Sequence, residues 1–418
     1  MTEPITPPPK KDPQKRTRVP VRPPVQRSRT GTHMSAFAAV GRFALQQCDR
    51  CGQVQYPARE ACSACLSMAL TWTDMPPFGE VIADTVVRTS TVVYFRERTP
   101  WRIATVKLEC GPSIICHLHG DCAVGDRVRV INRLDKAGHG ALMALPLTET
   151  EHMDDDELLR EMTCDPKFRR VLITDGRSAC GQSLARALSA AGASIVFVGE
   201  AESWRPYPGQ DVLRAIDRVE VLPMDVTDTD SLQHLSGEIG GKVDILINNA
   251  RFVRPGGLMD RSDVIFARDE MEVNYLGLMR LAQTFGPAMR ARGADGINSA
   301  TAWVNLLSVY ALSNFPKYGS FSASNAAALS LVQCLRAEMR PGGVRVMNVF
   351  SGPTEDDWHQ PLPPPKVLPD ALARAVVAAL KDGLEEVCVG DVAKDLVDRW
   401  QASPKVLERE LTELEMGG

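Results

Sequence analysis

The sequence lacks an apolar run long enough to cross a bilayer, and its first residues contain no apolar segment of the kind that directs export. A transmembrane helix needs about 20 predominantly apolar residues, so we expect no membrane-spanning helix. A strong excess of one charge is also missing, because 48 basic residues face 52 acidic ones. This balance gives no general support for nucleic-acid binding. We therefore expect a cytoplasmic protein that binds neither membranes nor nucleic acids.

The chain is too long for one compact core. It has 418 residues, of which 44% are hydrophobic and 24% are charged. That length predicts a multidomain protein, and the composition is typical of globular domains. Eleven cysteines occur without an export signal, so we expect them to be reduced and consider metal binding before disulfides.

Residues 1–33 form a basic, proline-rich tail. They contain eight prolines and eight lysines and arginines, against the two acidic residues Glu3 and Asp12. A segment with so few apolar residues cannot offset the conformational entropy lost on folding, so its composition predicts disorder. The tail could contact a phosphate-bearing or acidic partner, or it could be a solvated leader.

Residues 34–146 are predicted to form a small first domain. A helix is expected over 35–47, followed by a cysteine-rich segment over 48–72. Short strands separated by Gly, Pro and Asp then predict a small β-barrel. These strands are GEVIADTVVRT, WRIATVKLE, PSIICHLHG, DRVRVINRL and ALMALP. The acidic stretch 147–167 is predicted to be an interdomain linker.

Buried apolar runs alternate with helical segments over residues 168–418. This alternation predicts an α/β domain with a Rossmann-like, doubly wound parallel sheet. The runs are RRVLITD, SIVFVGE, VEVLPMD, VDILINN, WVNLLSV and VRVMNVF, with LEEVCVG as a last strand.

Four cysteines have the spacing of a zinc site. Cys48 and Cys51 form one CxxC pair, and Cys62 and Cys65 form a second pair, with ten residues between the two pairs. Each CxxC turn offers two thiolates to one ion, and four thiolates satisfy tetrahedral zinc. Because cysteine would fill all four positions, the zinc is expected to be structural. The alternative is a knuckle that has lost its metal.

The segment QQCDRCGQVQYPAREACSACLSMALTW, followed by FGEV, TVV, IATVKLE and VGDRVRV, resembles a family of zinc-ribbon/OB-fold proteins. Members of that family accompany thiolases and thiolase-like aldolases in acyl-CoA metabolism. The resemblance covers about residues 40–146. It implies a structural zinc ribbon, an OB-fold barrel and an accessory role toward a thiolase-like partner, with no catalytic residue of its own.

Residues 168–418 resemble the short-chain dehydrogenase/reductase family. The landmarks occur in order, and they are VLIT with a glycine turn, Asp225, Asn248-Asn249-Ala250, Asn274, Ser308 and the SGP at 351–353. The resemblance also implies which residues would contact a dinucleotide. These are Thr174, Gly176, Gly181, Asp225 and Asn249, with Glu200 as a possible ribose partner.

The chain departs from this family at the cofactor turn. The family pattern is T-G-x-x-x-G-x-G. In this chain, Asp175 and Ala179 stand in place of two of its glycines. Those glycines let the backbone approach the diphosphate at a helix N-terminus, and a carboxylate there repels it. NAD(P) binding is therefore doubtful.

The catalytic positions depart further. The residue thirteen positions after Ser308 is Phe321 where the family has tyrosine, and Asn325 stands where it has lysine. Phenylalanine has no proton to donate, and asparagine has no charge with which to tune a donor. Ser308 and Asn274 remain as residual hydrogen-bonding groups, so we expect no catalytic residue.

A relocated proton donor is the alternative. Tyr310, Tyr318 and Lys317 lie nearby in the sequence. None of them keeps the four-residue spacing that places a tyrosine and a lysine on one helix face.

These features together predict a pseudoenzyme, a non-catalytic subunit of an acyl-CoA-processing, β-oxidation-like complex. The OB half would support a thiolase-like protein, and the dehydrogenase half would pair with an active short-chain dehydrogenase. A CoA thioester would be reached through the partner. Two alternatives stay open: an active NAD(P)-dependent 3-hydroxyacyl-CoA-type oxidoreductase with a relocated proton donor, and a CoA-binding scaffold.

Two helical segments are candidates for the partner surface. They lie within 271–289 and 320–339 and keep many apolar and small residues although the catalytic residues are gone. Apolar surface of this kind usually marks an interface. The segments predict a hetero-oligomer, with plain homodimerisation as the alternative.

Overall fold

The computed structural model describes residues 2–9, 21–25, 28–293 and 299–416. The chain divides into two compact units, one built mainly from Val21–Asp165 and the other mainly from Pro166–Leu380 and the chain from Glu386 onward. The disorder predicted for residues 1–33 falls partly on 10–20 and 26–27, which lie outside the described residues. In the described part of the tail, Thr2 Oγ1 donates a hydrogen bond to Asp121, 3.0 Å away.

The first unit begins with a helix and a three-stranded antiparallel sheet. Helix α1 is Thr32–Ala39, and the strands are β1 (Ala44–Cys48), β2 (Val54–Gln55) and β3 (Leu70–Asp74), in the order β2-β1-β3. The helix predicted over 35–47 is therefore wrong beyond Ala39. Gly41 takes a φ of 75°, which ends a helix, and the residues ALQQC after it pair as β1 with β3.

Five further strands close a small barrel in the order β4-β5-β6-β8-β7, which confirms the predicted barrel. They are β4 (Phe78–Val87), β5 (Trp101–Leu108), β6 (Ser113–Leu118), β7 (Arg127–Leu134) and β8 (Gly140–Pro146), with helix α2 (Val93–Arg96) between β4 and β5. Alternate side chains face the core, as Ile114, Cys116 and Leu118 do in β6.

Residues 147–165 pack on the barrel, so the predicted linker 147–167 is not a free connection. The segment contains a 3₁₀ turn, Met153–Asp155, and helix α3 (Glu157–Met162), which Asp156 caps. Leu159 and Met162 join a buried cluster with Met143 of β8. The prediction weighed the acidic residues and missed that these two apolar residues, three positions apart, share one helix face.

The second unit contains a seven-stranded sheet in which every pairing is parallel, as predicted. The order is β11-β10-β9-β12-β13-β14-β15. The strands are β9 (Arg170–Ile173), β10 (Ile195–Glu200), β11 (Val219–Pro223), β12 (Ile245–Asn248), β13 (Ala302–Ser308), β14 (Arg345–Ser351) and β15 (Glu386–Val389). The order reverses between β9 and β12, and in such sheets ligands bind at the carboxyl ends of the strands at that point.

Helices connect these strands. They are α4 (Ala179–Ala190), α5 (Gln210–Arg214), α6 (Thr229–Ile239), α7 (Ile265–Met271), α8 (Leu278–Ala291), α9 (Gly319–Met339), α10 (Pro369–Asp382), α11 (Asp391–Ala402) and α12 (Pro404–Met416). A π-helical turn, Glu272–Gly277, separates α7 from α8. The main core packs Trp303 of β13 with Phe285 of α8 and Val332 of α9. Across the described ranges, no helix combines the length and the apolar character that crossing a membrane requires.

Candidate functional sites

The sulfur atoms of the four predicted zinc ligands converge. Cys48 ends β1 and Cys51 lies in the turn after it, whereas Cys62 and Cys65 lie in the loop before β3. All four Sγ atoms lie within 4.8 Å of one another, and Cys48–Cys65 and Cys51–Cys62 are each 3.6 Å apart. Ligands about 2.3 Å from a tetrahedral zinc are roughly 3.8 Å apart, so the four sulfurs fit the ion.

The ribbon backbone also suits thiolates. The N–H of Ala64 lies 3.4 Å from Cys62 Sγ, and the backbone N–H groups of Cys65 and Ala64 lower the pKa of Cys62 to about 6. The thiolate is the form that binds metal. Four protein ligands leave no open position for substrate, so the cluster supports a structural zinc whose bonds stabilise the ribbon.

The dinucleotide turn of the second unit keeps its backbone framework. Thr174 Oγ1 accepts the N–H groups of Asn249 and Ala250, each 3.0 Å away. The Asn249 amide pairs with the backbone of Asp175, accepting its N–H at 2.9 Å and donating to its carbonyl at 2.7 Å. A Cβ on Gly181 would lie 1.8 Å from that carbonyl oxygen. Thr174, Asn249 and Gly181 therefore hold the turn together whether or not a nucleotide binds.

At the positions that would face a diphosphate, residues with side chains stand where the family pattern has glycine. The carboxylate of Asp175 accepts the Arg177 N–H at 2.9 Å, and burial raises the pKa of Asp175. Ser178 caps α4 by accepting the N–H of Gly181 at 3.2 Å, and Ala179 is exposed as the first residue of that helix. A carboxylate and a methyl group thus stand where close phosphate approach needs glycine, and the fit to a dinucleotide is poor.

The end of β10, where a ribose partner was predicted, is filled by internal contacts. Glu200 is buried, and its carboxylate accepts hydrogen bonds from Gln210 at 2.9 Å and from Arg214 at 3.2 Å. Glu200 is therefore already paired. Arg177 Nη1 donates to three carbonyl oxygens, each 3.1 Å away, of Ala201, Glu202 and Arg205.

Two other predicted contact residues have local structural partners. Gly176 donates its N–H to the Gly199 carbonyl at 2.8 Å, and a Cβ there would lie 2.3 Å from Val198 Cγ1. Asp225 follows β11, and its Oδ1 accepts the N–H of Thr227 at 2.8 Å and the hydroxyl of Thr227 at 2.7 Å. Both residues shape their own turns.

Phe321 and Asn325, which were predicted to stand where short-chain dehydrogenases have tyrosine and lysine, both lie on α9. Phe321 is 1% exposed and packs in an apolar cluster, with its ring centroid 6.4 Å from that of Tyr318. The Asn325 amide accepts the N–H of Ser308 at 3.0 Å and donates to the Phe321 carbonyl at 3.0 Å. Asn325 therefore ties the end of β13 to α9 and carries no charge.

The side chains of Ser308 and Asn274 also form hydrogen bonds to neighbouring groups of the chain. Ser308 Oγ accepts the N–H of Tyr310 at 3.2 Å. Asn274, in the π-helical turn, accepts the N–H of Phe252 at 2.8 Å and donates to the Phe252 carbonyl and to Ser324 Oγ, each at 2.9 Å. The structure brings Ser308, Asn274, Phe321 and Asn325 together around a cavity of about 20 Å³. Pockets for small ligands usually measure roughly 300–1,000 Å³.

Neither nearby tyrosine is placed to donate a proton. The Tyr318 hydroxyl donates to the Trp358 carbonyl at 2.8 Å, its ring stacks on His359, and burial raises the pKa of Tyr318. Tyr310 is buried, which also raises its pKa, and Lys317 is exposed. A catalytic tyrosine needs its pKa lowered, so both shifts run in the wrong direction.

An ion pair that the sequence did not reveal crosses the carboxyl ends of the strands. Arg251, three residues after β12, has Nη2 2.5 Å from Asp356 Oδ2 and also donates to Thr354 Oγ1. Both acceptors follow β14. Although burial opposes it, the hydrogen bond from His359 and the charge of Arg251 hold the pKa of Asp356 well below its usual range. The partners are 105 positions apart, so no spacing pattern could have paired them.

Three family models match this chain. The model described as a short chain dehydrogenase matches residues 169–366. A rubredoxin-like zinc ribbon domain of ChsH2 matches residues 36–71, and the C-terminal OB-fold domain of ChsH2 matches residues 72–133. Together the matches cover the ribbon, most of the barrel and most of the parallel sheet.

Curated relatives match the dehydrogenase region. An uncharacterised oxidoreductase of Mycobacterium tuberculosis is 34% identical over 192 residues, which is 44% of this chain and 54% of that protein. The match thus spans about half the length of the mycobacterial relative. A fatty acyl-CoA reductase of Acinetobacter baylyi is 26% identical over 227 residues, covering 50% of this chain and 74% of that protein.

Solved structures resemble the same region. A short chain dehydrogenase from Burkholderia cenocepacia, in complex with NADP, is 30% identical with a TM-score of 0.53, covering 60% of this chain and 99% of that one. A short-chain dehydrogenase from Streptomyces avermitilis is 25% identical with a TM-score of 0.50, covering 60% and 98%.

Proposed function

Because this chain joins a ChsH2-type zinc ribbon and OB-fold to a short-chain dehydrogenase domain, we propose that it is a non-catalytic subunit of an acyl-CoA-processing assembly. The environment of Phe321 carries the proposal. A general acid must present an exchangeable proton to the substrate. At this position stands a buried hydrocarbon ring, beside a cavity of about 20 Å³.

The absence of a nucleotide role is part of the proposal. The Burkholderia relative binds NADP, so the fold itself is compatible with a dinucleotide. In this chain Asp175 stands at the diphosphate turn, and Glu200 is already paired with Arg214. We expect NAD(P)H to bind weakly and no hydride transfer to follow.

The two halves suit two partners. The ribbon and OB-fold would serve a thiolase-like protein, and the dehydrogenase half would pair with an active short-chain dehydrogenase. Similarity to a fatty acyl-CoA reductase supports acyl-CoA chemistry in the assembly. Exposed apolar side chains before and in α7 support a partner surface on the second unit, among them Met259, Ile265 and Phe266.

Co-expression with candidate partners tests the proposal. The chain, a thiolase-like protein and an active short-chain dehydrogenase encoded beside it are expected to co-elute as one complex. The purified chain alone is expected to oxidise no NAD(P)H with acyl-CoA substrates. The proposal fails if the chain elutes alone from that mixture and the activities of the other two proteins do not depend on it.

A CoA-binding scaffold is the second candidate, and one observation favours it. A cavity of about 570 Å³ lies in the first unit, whereas the cavity around Ser308 and Phe321 measures about 20 Å³. No comparable observation favours the alternative of an active oxidoreductase. Tyr318, a candidate for the relocated proton donor, donates its hydroxyl hydrogen bond to the Trp358 carbonyl.

A further inference from the structure

Six large apolar side chains around helix α7 are exposed, and we call the surface that they form the α7 face. Met259, in the loop before α7, is 98% exposed. The other members are Leu258, Val264, Ile265, Phe266 and Trp358. Proteins that stay monomeric rarely expose so many large apolar side chains together, and a patch of this kind usually marks an interaction site.

Two arginines connect the rings of the α7 face. The guanidinium carbon of Arg254 lies 3.7 Å from the ring centroid of Trp358 and 5.8 Å from that of Phe266. The guanidinium carbon of Arg261 lies 5.4 Å from the centroid of the same Phe266 ring. A guanidinium that stacks on rings still has N–H donors along its edge for a charged group outside the chain.

The loop before α7 is fastened to the segment that enters α9. Gly256 donates its N–H to the Lys317 carbonyl at 2.7 Å, and Arg261 Nη1 donates to Ser320 Oγ at 3.2 Å. A loop held at both of these points presents its apolar side chains in one arrangement. Covering the α7 face therefore costs less conformational entropy than covering a free loop would.

The same loop carries charges of both signs that form no salt bridge within the described residues. The Arg254 guanidinium makes one hydrogen bond, of 3.5 Å, to a neighbouring carbonyl. The carboxylates of Asp260 and Asp263 are exposed, and each accepts one backbone N–H, at 3.1 Å and 2.9 Å. Asp260 follows Met259 directly, so the negative charges border the apolar side chains as Arg254 does.

This mixture of charges favours a second copy of the chain over other occupants. An anionic lipid surface or an acidic partner would attract Arg254 but repel Asp260 and Asp263. In a two-fold contact the face meets itself, so an arginine of each copy can pair with an aspartate of the other. Tryptophan and arginine are also the residue types that contribute most to binding at the centre of interfaces.

We propose that the α7 face binds the same face of a second copy of this chain. Arg254 of each copy pairs with the aspartates Asp260 and Asp263 of the other, and the apolar side chains pack between these pairs. The proposal rests on the residues of this face and not on the proposed function. An active dehydrogenase would pair through the α9 segment.

Sedimentation of the zinc-loaded full chain alone, over a range of concentrations, tests the proposal. We expect reversible self-association. Met259→Glu should weaken it at least tenfold, because a charge would be buried in an apolar contact. Val212→Glu adds the same charge at an exposed apolar side chain of α5 and should change nothing. If α9 also self-associates, Met259→Glu should halve the mass of the larger assembly.

An exchange of charges tests the pairing itself. Arg254→Glu alone should weaken self-association at least tenfold, because each glutamate would face two aspartates. The double variant Asp260→Arg with Asp263→Arg should weaken it similarly, because arginines would then face Arg254. An equimolar mixture of the two variants should associate as the wild type does, since every contact again joins opposite charges. A variant that had failed to fold could not be restored in this way.

A wild-type chain that stays monomeric would overturn the proposal, as would unchanged association in Met259→Glu or a mixture that fails to associate. If the chain is monomeric and Met259→Glu instead abolishes co-elution with the active dehydrogenase, the α7 face belongs to that partner and the proposal is wrong. Self-association that depends on this face, without any co-eluting dehydrogenase or thiolase-like protein, would refute the proposed function alone.

Discussion

The guanidinium of Arg251 lies 2.5 Å from the carboxylate of Asp356, and this ion pair joins the segment after β12 to the segment after β14. Both side chains are about three-quarters buried, with exposed fractions of 26% and 22%. The pair holds the segment that contains Trp358, whose carbonyl accepts the Tyr318 hydroxyl. The segment after β14 is thus fastened to the sheet by side chains of the chain itself.

Removing this ion pair should destabilise the second unit. For Arg251→Met we expect the free energy of unfolding to fall by about 1.5–3 kcal/mol, the usual value for a hydrogen bond to a charged group. Because the pKa of Asp356 is held well below its usual range in the folded state, its contribution is fully present above the unfolded value near 3.9 and is lost only as pH falls through the lower folded-state pKa. The free energies of unfolding of wild type and variant in urea should therefore differ by the same amount at pH 7 and pH 5, and the difference should shrink progressively below about pH 4.

Arg186→Met is the matched control for that experiment. Arg186 pairs with Asp370, but their side chains are 45% and 63% exposed, so the loss should stay within about 0–1 kcal/mol. Equal losses in the two variants, at every pH, would contradict a special role for the Arg251–Asp356 pair.

Zinc is expected at one ion per chain. Cys62→Ser should abolish binding and unfold the ribbon, because the ion supplies the energy that its small core cannot. The parallel sheet should stay folded, since it has a core of its own. Elemental analysis and proteolysis measure the two effects. Cys334→Ser, at an exposed position on α9, is the control and should keep full zinc content. A fresh, reduced wild-type chain with well under one zinc would refute the assignment.

Restoring the family's catalytic pair should not restore activity. In Phe321→Tyr with Asn325→Lys, the new hydroxyl enters an apolar cluster, and the new ammonium replaces a buried amide that binds Ser308. Such burial is costly without partners. We expect no NAD(P)H turnover unless Asp175→Gly is added to remove the carboxylate at the diphosphate turn. Positioned acid–base catalysis is worth roughly 10²–10⁴-fold, so robust turnover by the unmodified chain would refute the pseudoenzyme proposal.

The α9 segment, predicted from the sequence as a candidate partner surface, can be tested separately from the exposed apolar side chains around α7. Ala327 is half-buried, and Ala327→Arg should break the assembly by placing a charge in an apolar interface. Leu331, on the same face, already packs against the core, so a charge there would test folding as much as assembly. Gln333→Arg, at an exposed position of α9, is the control. Light scattering of the co-expressed proteins measures the effect, and an unchanged mass with Ala327→Arg would exclude this face.

Local patterns were enough for much of this protein. The spacing of Cys48, Cys51, Cys62 and Cys65 predicted a cluster whose sulfurs converge, because a CxxC turn fixes two ligands within a few residues. The apolar runs predicted all seven strands of the parallel sheet, since its five central strands are buried on both faces and need apolar residues throughout. The residue types at Phe321 and Asn325 likewise carry the pseudoenzyme prediction without any structural input, because neither side chain can take part in proton transfer.

Only the tertiary structure decided how the remaining side chains pair. Arg251 forms an ion pair with Asp356, 105 positions away in the sequence. The carboxylate of Glu200 is paired with Arg214. Leu159, in the segment predicted to be a linker, packs against the barrel. The cavity of the first unit likewise forms where the ribbon, the tail and three barrel strands come together. Sequence periodicity reports which face of an element is buried. It does not report which distant charge or ring meets it there, because that depends on how all the elements pack at once.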